Sequence, residues 1–267
     1  MTRAKLDFVS NSSFTSSQKA ELLKVDNEDL SFTLTYWELC SAGSTSREIL
    51  VYSKAHHDFT YPDEEGWGMG TVPTVFSVLP TLKVKDRRPS SAFQGKELVL
   101  AEAGIIDTFL ARRFGLLGDN EWESLAIQTF YSNIHYLRER AFSSTMAVPL
   151  AMREKGRDNY LNGALTKFCE DHEYHLKKNG SNGHYVGDKL SLADIHLSNV
   201  IHYFSTMPWG NMALDRFKQY ESLWKVKETV EKVPEIAEWR QSATYKGLEQ
   251  NTIGFYAKMI SEELPEN

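Results

Sequence analysis

Ser191-Leu192-Ala193-Asp194, preceded by Tyr185-Val186-Gly187-Asp188-Lys189-Leu190, constrains the fold more than any other stretch of this chain. Ser191 and Asp194 have the spacing of a capping box. The serine oxygen can accept the backbone N–H three residues on, while the carboxylate reaches back to the N–H of Ser191. Leu190 before the cap and Ile195 after it are placed to close as a hydrophobic staple, and Asp194 suits the positive end of a helix dipole. Ala193, Leu197, Val200, Ile201 and Phe204 then recur at helical spacing, which predicts a buried helix behind the cap.

At 267 residues the chain has room for two modest domains or one large one. Its 41% hydrophobic and 25% charged content suits a soluble globular protein with a sizeable core. A net charge of -6 argues against a general nucleic-acid binder. No apolar run approaches the ~20 residues of a membrane span, so no membrane partner is expected. The serine-rich start, Met1 to Gln18, lacks the apolar core of a secretory signal. Arg3 and Lys5 hint at a transit peptide, against which Asp7 counts. Cys40 and Cys169 are too few for a disulfide scaffold, so a reducing cytoplasm is expected. Asn11 and Asn179 match the glycosylation acceptor pattern by chance on this reading.

Residues 1–30 show no sustained period and read as an amino-terminal extension, partly disordered. Phe32, Leu34 and Tyr36 alternate as in a half-buried strand. A polar turn, Ser41 to Ser46, leads to a helical stretch with Ile49, Leu50 and Tyr52. A short strand is expected at Phe59 to Tyr61, then a loop from Asp63 to Gly70. Two further strands follow at Thr81 to Val84 and Glu97 to Leu100. Glu102, Ile105, Ile106, Phe109 and Leu110 then mark a helix up to Phe114. Beyond Gly115 the pattern is helical throughout: Trp122 to Leu137, Leu161 to Leu176, the capped helix, and terminal helices around Trp224 to Val233 and Ile236 to Trp239.

This order, α/β first and all-α second, is that of a thioredoxin-like domain followed by an all-helical bundle. The wording Val-Gly-Asp-Lys-x-Ser-Leu-Ala-Asp-Ile at 186–195 resembles the buried sixth helix of the glutathione transferase superfamily. The run Trp224-Lys-Val-Lys-Glu-Thr-Val with Pro234-Glu-Ile-Ala-Glu-Trp239-Arg looks like the carboxy-terminal helices of fungal members. The resemblance spans roughly Phe32 to Tyr245. It implies a glutathione-binding domain at 31–115 and a helical domain at 121–260.

A transferase of this kind must hold a thiol as thiolate. A free cysteine thiol has a pKa near ~8.5, and lowering it by two units takes about 2.7 kcal/mol. One charge-assisted hydrogen bond aided by a helix dipole can supply that. Leu34-Thr35-Tyr36-Trp37-Glu38-Leu39, with Arg47 eleven residues after the tyrosine, is similar to the mu-, pi- and sigma-like classes. Their tyrosine at this place donates to the thiolate, so the resemblance makes Tyr36 the first catalytic candidate. Cys40 and Ser44 compete, because other classes use cysteine or serine at the start of the first helix; a packing role for Tyr36 also stays open.

The same resemblance assigns the glutathione contacts to Trp37, Trp67, Leu79, Pro80, Glu102 and Ala103. Val78-Leu79-Pro80-Thr81 looks like the superfamily's cis-proline turn, which presents the backbone of Leu79 for strand-like pairing with the tripeptide. Trp67, thirteen residues before Pro80, matches a glutathione-contacting tryptophan of sigma-like members. The lysine that these members carry four residues later, for the glycine carboxylate, is here Thr71. Glu102 suits the γ-glutamyl ammonium. Ala103 lacks the family's serine hydroxyl and leaves a backbone N–H and the helix dipole to hold the γ-glutamyl carboxylate. The 83–96 connection is longer and more basic than the family's tight turn and reads as a mobile loop or a reshaped dimer edge.

Tyr131, His135 and Phe142 on the first long helix are the substrate-pocket candidates, with packing as the competing role. His56-His57-Asp58 and His172-Glu-Tyr-His175 lack the spacing of a zinc site, so no metal is expected. The expectation is a cytoplasmic homodimer that takes glutathione and a hydrophobic electrophilic small molecule, in detoxification or secondary metabolism. It would conjugate the two or isomerise a biosynthetic intermediate. Alternatives are a non-catalytic ligand-binding or regulatory protein of the same fold, and a thiol transferase working through Cys40.

Overall fold

Leu30, Phe32 and Leu34 lie on one side of strand β1 (Leu30–Thr35) and are buried, because successive strand residues face opposite sides of a sheet. The computed structural model describes residues 3–6, 8, 9 and 13–261. β1 pairs in parallel with β2 (His56–Thr60) and antiparallel with β3 (Thr81–Asp86), which pairs antiparallel with β4 (Leu98–Ala101). The order is β2-β1-β3-β4. The parallel pair requires a crossover, which α2 (Ser44–Ser53) supplies. Inside the unit α2 packs on α4 (Ala103–Arg113), and the buried Ser46 hydroxyl donates to the Asp107 carboxylate.

The chain forms two compact units, Met1–Phe114 and Gly115–Asn267. The first is the α/β unit and the second is helical throughout its described residues, as the sequence predicts.

Three parts of the first unit differ from expectation. The amino-terminal stretch is not a separate extension. Thr15 and Gln18 form a capping box on α1 (Ser16–Leu22), and Phe14 and Leu22 are buried. Arg113 at the end of α4 donates to the carbonyls of Leu23 and Val25 and to Asn27 Oδ1. Partners 86 to 90 residues away leave no local period to read. Asp7 and Asn11 lie outside the described residues.

The stretch from Asp63 to Gly70 contains a short helix, α3 (Glu64–Met69). Asp63 caps it by accepting the Gly66 N–H at 2.7 Å, and Gly70, at φ 74°, ends it in a conformation open to glycine. The 83–96 connection is tied down at its base. Lys83 and Lys85 both pair with Glu97, and Asp86 accepts from Arg88 and Ser91, which hold its carboxyl well below the usual range.

In the second unit α5 (Glu121–Thr145) and α8 (Leu192–Ser205) pack together, with α8 buried along nearly its whole length. The capping box forms in full. Asp194 accepts from the Ser191 N–H and hydroxyl, from the Tyr185 N–H, and lies 3.2 Å from His184 Nδ1. The helix expected from Leu161 is longer. It starts right after Pro149 as α6 (Leu150–Asn159), continues through a π-helical turn (Tyr160–Leu165) and runs on as α7 (Thr166–Lys178). A Cβ at Gly156 would meet the Ser144 carbonyl oxygen at 2.1 Å, so glycine is what lets α6 approach the end of α5. α9 (Gly210–Lys218), α10 (Glu221–Glu231), α11 (Pro234–Gln241) and α12 (Ala243–Ser261) complete the unit. Among the described residues no helix is long and apolar enough to cross a membrane.

Candidate active site

Tyr36 follows β1 directly, its N–H donating to the Thr60 carbonyl of β2. Its side chain is 7% exposed, and the hydroxyl accepts the Ala42 N–H at 3.1 Å. A phenol that accepts here still has its own proton to donate. The loop from Trp37 to Ala42 is thus closed over the ring. Gly43 stands against the same ring, where a Cβ would lie 2.7 Å from it.

Arg47 on α2 braces that loop from inside. Its guanidinium donates to the Leu39 carbonyl at 2.8 Å and to the Trp37 carbonyl at 2.7 Å, and lies 5.5 Å from the centre of the Tyr36 ring. Burial pushes its pKa down, opposed by Tyr61, Cys40, Tyr36 and Glu38 nearby. Among the described residues its Nε has no hydrogen-bond partner.

The competing nucleophiles sit deeper or at the helix start. Cys40 is 2% exposed, a poor position for a thiol that must meet another molecule. Ser44 is the buried first residue of α2.

Trp37 and Trp67 meet edge to face with ring centroids 5.1 Å apart, joining the end of β1 to α3. The Leu79–Pro80 peptide is cis, as expected, and Leu79 lies beyond the last β1–β3 pair, Thr35 with Thr81. Glu102 caps α4 with φ 71°, in the region that disfavours side chains, and its own side chain is exposed. A non-glycine residue held there costs on the order of 1–3 kcal/mol, and such residues cluster at functional sites. Ala103, 8% exposed, opens α4. Without a hydroxyl there, the first N–H groups of α4 are the donors left for an anion.

The three pocket candidates belong to the second unit. Tyr131 is buried with its ring 4.4 Å from that of His196 on α8, and His135 stacks on His196 at 5.7 Å. Burial and the adjacent Arg138 push His135 down to about 4. Both side chains therefore pack α5 on α8. Phe142, half-buried, lies further along α5. None of the three lines the groove of about 420 Å³ in this unit, which runs between another face of α5, with Tyr136 and Arg140, and the turn at Gly163 and Lys167. His172 is a satisfied core residue: Tyr185 Oη and Asn133 Oδ1 stand 2.6 and 2.9 Å from its two ring nitrogens. Sequence reading missed Arg3 and Lys5, which reach Trp67 and Ser77 from the amino-terminal segment.

Residues 135–243 match the family model described as "Glutathione S-transferase, C-terminal domain". The chain is 26% identical over 215 residues to a "Probable glutathione S-transferase 5" of Caenorhabditis elegans, covering 79% of this chain and 95% of the relative. Residues 135–243 thus carry a glutathione S-transferase carboxy-terminal domain, and the chain is similar to glutathione S-transferases along most of its length. The transferase fold recurs in solved structures. A prostaglandin synthase D of Nilaparvata lugens aligns with a TM-score of 0.65 at 22% identity, over 80% of this chain and 98% of the other. Na-GST-3 of the hookworm Necator americanus, described as monomeric, aligns at 0.63 and 22%, over 79% and 97%. The motif-assigned residues Tyr36, Trp37, Trp67, Leu79, Pro80, Glu102 and Ala103 all lie in the first unit, at the ends of β1, β4, α3 and the turn before β3.

Proposed function

We propose that this protein is a glutathione transferase in which Tyr36 donates its hydroxyl proton to the thiolate of glutathione. The relatives' names support transferase chemistry. The observation that carries the catalytic assignment is the joint placement of Tyr36 and Arg47. The hydroxyl is fixed at the end of β1 by the Ala42 N–H, with a buried guanidinium beside its ring. Both groups favour a sulfur anion over a thiol, as does the start of α2. Two units of thiol pKa correspond to about 2.7 kcal/mol, within reach of such a set.

The residues present fit the tripeptide unevenly. The backbone at Leu79 and the strained Glu102 suit an extended, zwitterionic peptide. Ala103 offers only its backbone, so the γ-glutamyl carboxylate is held by fewer donors, weakening affinity by ~1.5–3 kcal/mol. Bound glutathione supplies the sulfur nucleophile. In conjugation, sulfur forms a bond to an electrophilic carbon as the leaving group departs with its electron pair. In isomerisation, sulfur adds to a conjugated double bond and leaves after rotation. The hydrophobic electrophile is taken in the cytoplasm, and the protein acts as a homodimer, for which the exposed apolar Met69, Phe76 and Val78 are a pairing surface.

A second reading, a ligand-binding protein without chemistry, draws on the same Tyr36–Ala42 bond, since a hydroxyl used to close a loop need not serve catalysis. Glutathione binding by calorimetry and conjugation of a generic aryl halide separate the two. Binding with turnover supports the transferase and binding without turnover the second reading. No binding at millimolar glutathione sinks the transferase reading. Light scattering of the eluted protein gives the oligomeric state.

A further inference from the structure

Arg3 and Lys5 enter the first unit from outside the segment that carries the motifs. Residues 3–6 run parallel to the loop after α3. Ala4 N–H donates to the Gly70 carbonyl and Leu6 N–H to the Thr74 carbonyl, each at 2.8 Å, with Lys5 bridging Thr74. Gly70 permits this approach twice over. Its φ of 74° disfavours a side chain, and a Cβ would come within 3.2 Å of Arg3 Cγ. The Lys5 ammonium then donates to Ser77 Oγ at 2.9 Å, two residues before Leu79. Arg3 lies over the Trp67 ring, 4.9 Å from its centroid, with one N–H on the Trp67 carbonyl at 3.1 Å. A guanidinium has five N–H donors in a planar fork, so most of its capacity is left for another acceptor.

Thr71 is turned to its own backbone, its hydroxyl donating to the Gly66 carbonyl. It supplies no cation where the resemblance places a lysine. Asp63, Glu64 and Glu65 make the nearby start of α3 acidic, which would repel a free carboxylate. The amino-terminal segment brings a cation to this side of Trp67 in Arg3.

We propose that residues 3–6 are a built-in part of the tripeptide site and that Arg3, stacked on Trp67, holds the glycine carboxylate of glutathione in place of the missing lysine at position 71. Lys5 is a positioning residue that pins the segment to Ser77. This rests on the glutathione reading above. An arginine that merely caps the end of α3 would show the same contact to the Trp67 carbonyl, so the test must read the ligand's carboxylate.

The test compares glutathione with its glycine ethyl ester, which lacks that one charge, by calorimetry on the full-length protein. The wild type should prefer glutathione about tenfold or more, the size of one charge-assisted contact. Arg3→Ala should bind both equally, at the affinity of the ester. Thr71→Lys in the Arg3→Ala background should restore the preference. In turnover, Arg3→Ala should raise KM for glutathione with kcat unchanged. A preference that survives in Arg3→Ala overturns the proposal, whatever happens to thermal stability. So does a wild type that binds both ligands alike, while the glutathione reading then stands. A wild type that binds neither overturns both.

Discussion

The hydroxyl of Tyr36 accepts the backbone N–H of Ala42 at 3.1 Å, so one side chain both closes the loop after β1 and presents an O–H at its end. Loop closure and proton donation use different capacities of the same oxygen, a lone pair and a proton. They are therefore separable by experiment.

Tyr36→Phe removes both. The bound thiol should titrate about two units higher, so kcat/KM at pH 6.5 should fall by roughly 10- to 100-fold while the loss narrows above pH 8.5. Thermal stability should also fall, because the part-buried Ala42 N–H loses its acceptor, at a cost of about 1 kcal/mol. A pH–rate profile superimposable on the wild type would leave Tyr36 only its bracing role.

Gly43→Ala should act on the same tyrosine by contact. The added methyl would lie 2.7 Å from the ring. Relieving such an overlap typically costs about 1–3 kcal/mol. The expected outcome is a lower midpoint in urea and a pH profile that moves towards that of Tyr36→Phe. An unchanged profile would mean that the ring yields without displacing its hydroxyl.

Asp194→Ala should destabilise the second unit most among single polar changes. It strands the N–H groups of Tyr185 and Ser191 and the Ser191 hydroxyl in a fully buried place. At 1–3 kcal/mol for each orphaned donor, a loss of at least ~3 kcal/mol is expected. Equilibrium urea unfolding measures it, and a loss under ~1 kcal/mol would contradict the cap as the anchor of α8.

Acid should weaken the fold before it protonates most carboxylates. Burial, with His175 adding to it and Asp171 opposing, pushes His172 down to about 3, and burial with nearby cations takes His202 to about 4. An unfolded imidazole titrates near ~6.5. Between those values the unfolded chain binds more protons, so stability is full above pH ~6.5 and declines as the pH drops towards 4. Each such histidine contributes up to ~1.4 kcal/mol per pH unit. Urea midpoints at pH 7.5, 6 and 5 should therefore fall, and His172→Gln should flatten the slope. Equal midpoints across that range would refute the burial of neutral imidazoles.

Local chemistry made much of this molecule legible. Ser191 and Asp194 announce α8 because a capping box is satisfied by residues three apart. The alternation Phe32, Leu34, Tyr36 announces β1, although the strand ends at Thr35 and Tyr36 lies just past it. α3 was hidden because Gly66 and Gly68 dilute its helical pattern and its cap, Asp63, reads equally as a loop acid. α1 was hidden because seven residues carry too little period, and its anchors, Arg113 among them, are remote in sequence.

By itself the sequence marked β1 and the capped helix, since each depends on neighbours within a few residues, and its resemblance to a family offered Tyr36 as a candidate. Only the tertiary structure decided that Cys40 is buried, that Tyr131 and His135 pack against His196, and that Arg3 stands over Trp67, 64 residues away. Hydrogen bonds and ring contacts fall off within a few ångströms, and a linear chain carries no record of which distant residues folding will bring that close.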